Sequence, residues 1–582
     1  MPDPSHMQCR CTCLVVNESL ILIIPFLVRI SPGIRRLGTF TSLYQYFFIS
    51  PGAPDSSLLV SCVDTPSHSP SSSNPAAMAP SGEHQISIPP PAKCASESSS
   101  PTDSVFIESE KAFLEDMSDP EKQQVSMDPE KTLEKTASSG LRDLEAQTEP
   151  EPKRRWYAPI RYTVLDIYRR LFSIVFLANL GVFIWVMVDN RTLMALINAT
   201  AANVLACGLA RQPLVVNTFF RVACSIPRSA PLRLRQIACK VYHYGGVHSG
   251  CGVASLVWYV GFVAVLTRTY TNPPGGQPVI SSAPVILAYI ILALLMAIII
   301  VAYPGFRVKL HDYFELTHRF SGWVVVALFL CLLLVFADEA STAQGVSLGS
   351  FIIKIPGFWF LMIVIASIIH PWVFLRKVRV QPEYLSDHAV RLHFDYTKTA
   401  FGKGIQLSKH PLRDWHGFAT FPDPEGNTFS SLVSKAGDWT ADTIKEQPTH
   451  LWKRGVLIYG FAYSMRVFKK VLIVTTGSGI GPCLSFLGDE NRPELRVVWQ
   501  TRAPVKTYGE KVIDLVKQMD PDPVIIDTNE RGRIDMVPLI RKLYKEFEPE
   551  AVCVISNGKV TKNTVYQLEA TGIKAYGPIF DS

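Results

Sequence analysis

At 582 residues the chain is longer than a single domain ordinarily reaches. Its 48% hydrophobic share and mean hydropathy of +0.17 exclude a largely disordered chain and point to membrane segments. The net charge of +7 is modest and sits beside apolar runs, so it reads as membrane topology; no nucleic-acid partner is expected.

Residues 1–150 read as a disordered, low-complexity region. Residues 51–100 are Ser/Pro-rich and 108–151 acidic, with too few apolar side chains to offset the entropy of ordering. The apolar run Leu20–Val28 is interrupted by Pro25 and is short for a span; a signal peptide remains an open reading, and Met78 an alternative start. The twelve cysteines lack zinc-like spacing and read as small buried hydrophobes.

Residues 155–378 read as a six-span α-helical membrane bundle. The expected spans are Ile167–Val188, Leu193–Ala210, Gly245–Leu266, Ala283–Tyr303, Ser321–Ala337 and Ile353–Leu375, the second weakened by Asn198 and Asn203. Basic residues gather between spans two and three (Arg211 to Lys240), between four and five (Arg307, Lys309, Arg319) and after six (Arg376, Lys377, Arg379). The positive-inside rule then puts both termini in the cytosol of a multi-pass protein, expected in the plasma membrane with the lipid bilayer as partner.

Residues 379–467 alternate in short strands with Pro/Gly turns, as in an antiparallel β-barrel. Residues 468–582 alternate strand and helix: Val471–Thr475, Arg496–Trp499, a helix near Lys511–Gln518, Val524–Ile526, a helix near Val537–Phe547, Ala551–Ile555, and a helix near Thr564–Ala570. That is a parallel α/β nucleotide-binding fold. Its first strand, with the apolar run Val471–Val474, leads through Thr476 to Gly477, Gly479 and Gly481 and a helix opened by Pro482. The N–H groups of such a helix start favour an anion, typically a pyrophosphate. The residues alone also allow a tight turn with packing glycines, and the spacing G-x-G-x-G-P is not the G-x-G-x-x-G fingerprint.

This turn, the order of the three parts, and the run Trp415-His416-Gly417-Phe418-Ala419-Thr420-Phe421 resemble the ferric-reductase and NADPH-oxidase branch of the ferredoxin-reductase superfamily. More narrowly, they resemble the fungal TmpA-type membrane flavoproteins. The run is similar to that family's flavin segment H-P-F-[ST], with Gly417 where Pro is usual. The resemblance implies FAD contacts at His416, Phe418 and Thr420. Gly437–Thr440 resembles the next family strand, G-x-W-T. Ile458–Gly460 resembles G-P-Y-G, which implies flavin-phosphate contacts at Tyr459 and Gly460. NADPH is implied at Thr476, Gly477, Gly479, Gly481 and Pro482, with its 2′-phosphate at Arg502 and Lys506, which read alone form a solvated basic loop. Ser556-Asn557-Gly558 stands where the family carries Cys-Gly beside the nicotinamide, so the thiol is missing. Phe580 either covers the flavin ring or anchors the tail.

The family also carries two haems, each between histidines of two helices. His248 and His318 stand where an inner pair would, and are weak candidates for one haem. The outer positions hold Gly261 or Phe262 and Cys331 or Leu332, so an outer haem is not expected. His243, His311 and His370 do not match the pattern. No other metal site is expected, and haem as a whole is not. The resulting expectation is a membrane-anchored flavoprotein passing electrons from NADPH to FAD and an unknown small-molecule or protein acceptor, in fungal development, signalling or metabolism. The rivals are transmembrane electron transfer of the ferric-reductase kind and a non-catalytic signalling protein with a degenerate reductase fold.

Overall fold

The computed structural model describes residues 153–578 except 190, 277–279, 425 and 427, all within one compact unit. The expectations for residues 1–150, for Met78 and for Phe580 lie outside the described residues.

The first part is helical. Among the described residues, five helices are long and apolar enough to cross a membrane. They lie on α1 (Ile167–Asp189), α5 (Gly245–Thr271), α6 (Ser282–Val301), α7 (His311–Ala343) and α8 (Pro356–Val373). Expected span two is instead a bent pair, α2 (Leu193–Leu209) and α3 (Pro213–Cys224), at 72°. The bend has a local cause. Pro213 opens α3, and the Gln212 side chain accepts from Leu214 N (2.6 Å) and Val215 N (3.0 Å), which starts a new helix. Span five is longer than expected, because Phe314–Arg319 continue the helix and Arg319 pairs with Glu315 at 2.7 Å, one turn away.

The asparagines that weakened span two hold it in place. Asn198 Oδ1 accepts from Gly357 N (2.9 Å) on α8. Asn203 Nδ2 donates to Asn179 Oδ1 (2.9 Å) on α1, which also accepts from Trp258 Nε1 (3.1 Å) on α5. Buried amides in an apolar bundle act as interhelical glue. Gly246 and Gly250 bring α5 directly onto α1: a Cβ at the first would stand 2.5 Å from Tyr168 O.

The second part holds two antiparallel sheets. One has the order β1 (Arg376–Arg379), β8 (His450–Lys453), β4 (Lys403–Ser408), β5 (His416–Ala419), with β9 (Ile458–Tyr459) also on β4. The other has the order β2 (Gln381–Ser386), β3 (Ala389–Phe394), β7 (Phe429–Ser434), β6 (Phe421–Pro422). Only Val380 separates β1 from β2, and only Thr420 separates β5 from β6, so the sheets share two corners around Val378, Leu392, Ile405, Leu407 and Val433. Arg391 is buried on the face of β3 opposite Leu392 and pairs with Asp423 at 2.5 Å. Burial alone would raise the Asp423 carboxyl. Hydrogen bonds from His393, Ser430 and Thr428 and the Arg391 charge outweigh it and hold that carboxyl far below its ordinary range.

The expected G-x-W-T strand is a helix start. Gly437 caps α9 (Asp438–Glu446), and Thr440 Oγ1 accepts from Gly437 N (3.0 Å) and Ala436 N (2.8 Å). Asp and Thr in a first turn are capping chemistry, which outweighs the β preference of Trp439.

The third part is a parallel sheet ordered β12 (Val524–Asp527), β11 (Glu494–Thr501), β10 (Lys470–Thr476), β13 (Ala551–Ile555), β14 (Ala575–Tyr576). β10 lies centrally, its Val471–Thr475 in register with Ala551–Ile555, and its four apolar residues are fully buried. The short α10 (Ile480–Leu484) follows the glycine turn. Further on come α11 (Glu510–Met519), α12 (Met536–Phe547) and α13 (Gly558–Thr571). α13 begins at Gly558, ahead of the expected Thr564, because Asn557 Oδ1 caps Val560 N (2.9 Å).

The helical part is tied to the other two. Arg235, on α4 (Leu232–Ala238), donates through Nη1 and Nη2 to both Glu550 oxygens (2.6 and 2.7 Å), just before β13. Asn217 on α3 donates to Leu457 O (3.0 Å) and accepts from Tyr459 N (2.8 Å), as an added strand would.

Candidate functional site

Sequence order reverses between β10 and β13, and open α/β sheets bind ligands at the carboxyl ends of strands at such a point. The glycine turn stands there. Thr476 Oγ shares a hydrogen bond with Ser556 Oγ at the end of β13, and Trp499 Nε1 donates to Gly477 O (3.0 Å). Gly477 has φ +49°, which favours glycine. A Cβ at Gly479 would stand 2.4 Å from Ile555 O, and one at Gly481 3.3 Å from the Leu432 side chain on β7. Two glycines therefore serve close packing. Pro482 is the third residue of α10, and a 3₁₀ turn over Gly477–Gly479 precedes it, so the helix starts ahead of the proline. Proline is still tolerated there, where backbone N–H groups have no intrahelical partner. Arg502 and Lys506 are exposed beyond the end of β11, beside Ala503, whose N–H is held by Asp527 Oδ1 (2.9 Å).

In the antiparallel sheets, register decides which face each residue takes. His416 pairs with Leu407 and Phe418 with Ile405, so His416 and Phe418 turn to the core side, where the Trp439 ring meets them at 4.5 and 5.5 Å. Thr420 is fully buried, its hydroxyl bonded to Thr399 (2.5 Å) and Lys403 O (3.0 Å). The opposite face of the same strands carries Gly404, Gln406, Gly417 and Ala419. A Cβ at Gly417 would meet nothing within 4 Å. Tyr459 stacks on Tyr463 at 4.0 Å, with Lys403 Nζ and the Arg221 guanidinium over its ring at 5.2 and 5.9 Å; Gly460 N donates to Gly402 O (2.8 Å).

A cavity of about 1300 Å³ lies where all three parts meet. The bundle contributes His248, His318, Arg211 and Trp372, the sheets Gln406, Arg454 and Ile458, and the nucleotide fold Thr561 and Gly577. The His248 and His318 rings stand 6.1 Å apart between centroids, and His248 Nδ1 lies 2.9 Å from Cys207 O, which fixes the ring as an Nδ1–H donor and turns Nε2 away from that bond. The Arg454 guanidinium lies over Trp415 (4.5 Å) and Trp372 (5.5 Å), and its Nε donates to Gln406 Oε1 (2.9 Å). Burial brings Arg454 down to about 10, which leaves it charged at neutral pH. Sequence reasoning named the two histidines but missed Gln406, Arg454 and Trp372. These come from separate elements with no shared spacing, and only Arg211, at the end of the weak second span, carried a signal.

Residues 461–582 match a family profile described as the C-terminal domain of adenylate-forming reductase 03009. Adenylate-forming reductase 03009 of Coprinopsis cinerea is 44% identical over 424 residues, covering 73% of this chain and 41% of that protein. Adenylate-forming reductase 06235 of the same fungus is 40% identical over 465 residues, covering 78% of this chain and 44% of that protein. The chain is homologous to adenylate-forming reductases. It spans less than half the length of these curated relatives. Among solved structures, a ferredoxin NADP+ reductase from Neisseria gonorrhoeae with bound FAD and NADP is 14% identical over 35% of this chain and 99% of that one, with a TM-score of 0.28. Phthalate dioxygenase reductase is 15% identical over 35% of this chain and 68% of that one, also at 0.28.

Proposed function

We propose that the chain is a membrane-embedded, NADPH-dependent flavoprotein reductase whose electrons leave toward the cavity. The observation that carries this reading is the bare face of β4 and β5. Gln406 lines the cavity, and Gly417, its partner on the same face, leaves room for a flat ring. The residues present fit FAD: the open face would take the isoalloxazine, and Lys403 and Arg221 beside Tyr459 supply positive charge for its phosphates. They also fit NADPH at Gly477–Gly481, with Arg502 and Lys506 for the 2′-phosphate. Flavin supplies hydride acceptance and onward electron transfer; the chain aligns the two cofactors and tunes their surroundings. The two antiparallel sheets are read as one flavin-type barrel, the helices as a multi-pass bundle with both termini cytosolic, and the branch as a divergent ferric-reductase-like one. The relatives' name joins adenylate formation with reduction. This chain is read as the reducing part, its acceptor an acyl group activated elsewhere.

Gly417→Leu tests the flavin face. The side chain meets open space, so the melting temperature is expected to stay within a few degrees of the parent's while bound flavin absorbance is lost. Retention of full flavin by that variant would place the ring elsewhere. For the nucleotide, Arg502→Ala is expected to lower the NADPH-over-NADH ratio of kcat/KM about tenfold, the worth of one charge-assisted phosphate contact. An unchanged ratio would remove Arg502 from the site.

The histidine pair favours a second reading, with one haem between α5 and α7. Two imidazoles bound to one iron at about 2 Å would have ring centres about 6 Å apart, and a ligating histidine typically donates its other nitrogen to a carbonyl. The 6.1 Å separation and the His248–Cys207 contact fit both conditions, against the expectation of no haem. A haem Soret band in the purified chain, lost in His318→Ala, would establish this reading; no band would exclude it.

A further inference from the structure

We infer that residues 153–165, just ahead of α1, dock on anionic phospholipid headgroups of the cytosolic leaflet and hold the end of α13 there. The inference rests on the membrane-embedded reading. It goes beyond that reading by naming the lipid chemistry and the surface that meets it.

The segment has two faces. Ala158 is fully buried, Arg155 N donates to Ala570 O (3.0 Å), and the Tyr162 hydroxyl is hydrogen-bonded with Glu569, so one face lies on the last turn of α13. The Arg155 guanidinium stands at the C-terminal end of that helix, 2.8 Å from where a Cβ on Gly572 would be, a favourable place for a cation. The other face is apolar and open. Trp156 is 85% exposed and Ile160 and Val164 are 55% exposed, and they recur every fourth residue, the spacing of one side of a helical turn. Exposed apolar side chains gathered in this way mark a contact surface.

Two observations name the occupant. The first is charge. Residues 153–170 carry six basic side chains and one acidic one, Asp166. Lys153, Arg154 and Arg161 are exposed, next in sequence to the apolar side chains. A tryptophan and a basic cluster immediately cytosolic of a span are the chemistry that binds anionic lipid, each basic residue adding about fivefold to the partition. The second observation is place. The chain turns at Leu165 (φ −112°, ψ 58°), and Arg169 Nη1 donates to Thr163 O (3.3 Å) and Val164 O (3.2 Å). The segment is therefore a separate turn fixed to the start of α1. Exposed side chains along α1 itself meet acyl chains; those of the segment lie beyond its start, at headgroup depth.

The same end of the bundle repeats this chemistry. Gly246 of α5 packs on Tyr168 of α1, and the His248 ring of α5 faces His318 of α7, so these three helices start at one end. There, between α6 and α7, Tyr303, Val308 and Tyr313 are exposed, with Lys309 exposed among them. The consequence reaches the nucleotide fold. α13 starts at Gly558, beside the strand end that carries Ser556, and finishes on the residues the segment holds. A leaflet that fixes residues 153–165 also fixes this helix.

The test places the full chain in nanodiscs of phosphatidylcholine, with and without added phosphatidylserine, and follows hydrogen exchange of backbone amides. Residues 156–165 and 568–572 are expected to exchange about fivefold more slowly in the anionic discs at low salt. The difference should vanish in about 1 M salt, which shortens screening to about 3 Å. Lys153→Gln combined with Arg161→Gln should remove it at low salt, and Trp156→Ser should reduce it. The salt series needs no variant, so it decides the matter even where a variant fails to fold. Equal exchange in the two discs, or a difference that survives both salt and the charge variant, would overturn the inference. Protection that rises with protein concentration and ignores the lipid would assign the face to a second copy and overturn it as well. A chain that stays in solution without discs or detergent would remove the membrane reading and this inference together. Protection by anionic lipid in a chain whose flavin NADPH does not reduce would uphold the docking and refute the reductase reading. Flavin reduction in discs whose charge leaves exchange unchanged would do the reverse.

Discussion

Glu550→Ala is expected to destabilise the native protein by about 3 kcal/mol, because it strands a buried guanidinium. Arg235 is 4% exposed, and its two terminal nitrogens both end on the Glu550 carboxylate; Lys469 N donates to the same carboxylate at 2.6 Å. Removing the acid leaves one charge and one backbone donor unpaired where the helical part meets the nucleotide fold. The effect should appear as a lowered melting temperature and as faster proteolysis of the third part. The pair also gives an acid dependence. Burial alone would raise the Glu550 carboxyl, but the hydrogen bonds from Arg235 and Lys469 and the nearby charges lower it on balance. Its folded value therefore lies below its unfolded one. The stabilisation is fully present above the unfolded value of about 4.3, and is lost as pH falls through the folded value. Below that range parent and Glu550→Ala should converge in stability; a constant gap at all pH values would show that the carboxylate charge contributes nothing.

Gly479→Val should have the larger functional effect. The first added carbon alone would stand 2.4 Å from Ile555 O and 2.5 Å from Thr475 Oγ1, and both atoms belong to the central strands. The turn must move out of the switch point or the strands must part, a strain of about 1–3 kcal/mol. Either response shifts the loop that would cradle the nucleotide phosphates, so KM for NADPH is expected to rise at least tenfold while bound flavin, held by the antiparallel sheets, stays. Unchanged KM would show that the turn plays no part in nucleotide binding.

Much of the fold was legible because hydrophobic patterning is a local signal. The run Val471–Val474 marks a strand buried on both faces, and the long apolar helices announce themselves by composition. Elements failed where side-chain chemistry competed with pattern. Gln212-Pro213 starts a new helix within what reads as a single span, and Asp438 and Thr440 cap a helix where a tryptophan suggested a strand. The site was legible where one short stretch builds it, as at Gly477–Gly481. The faces of His416 and Phe418 were not, because they depend on the pairing of β5 with β4, and a one-residue change of register would reverse them. The cavity was least legible: its walls come from α1 to α3, α5 to α8 and α13, from β4, β9 and β14, and from segments between them, and its composition follows from topology rather than spacing.

The proposed reaction is electron transfer from NADPH to a bound flavin. Anaerobic addition of NADPH to the purified full chain, reconstituted with FAD and followed by visible absorbance, tests it most directly. The expected result is a flavin spectrum that NADPH bleaches and oxygen or an added oxidant restores. A chain that melts cooperatively but binds no flavin, or holds flavin that NADPH leaves oxidised, would contradict it.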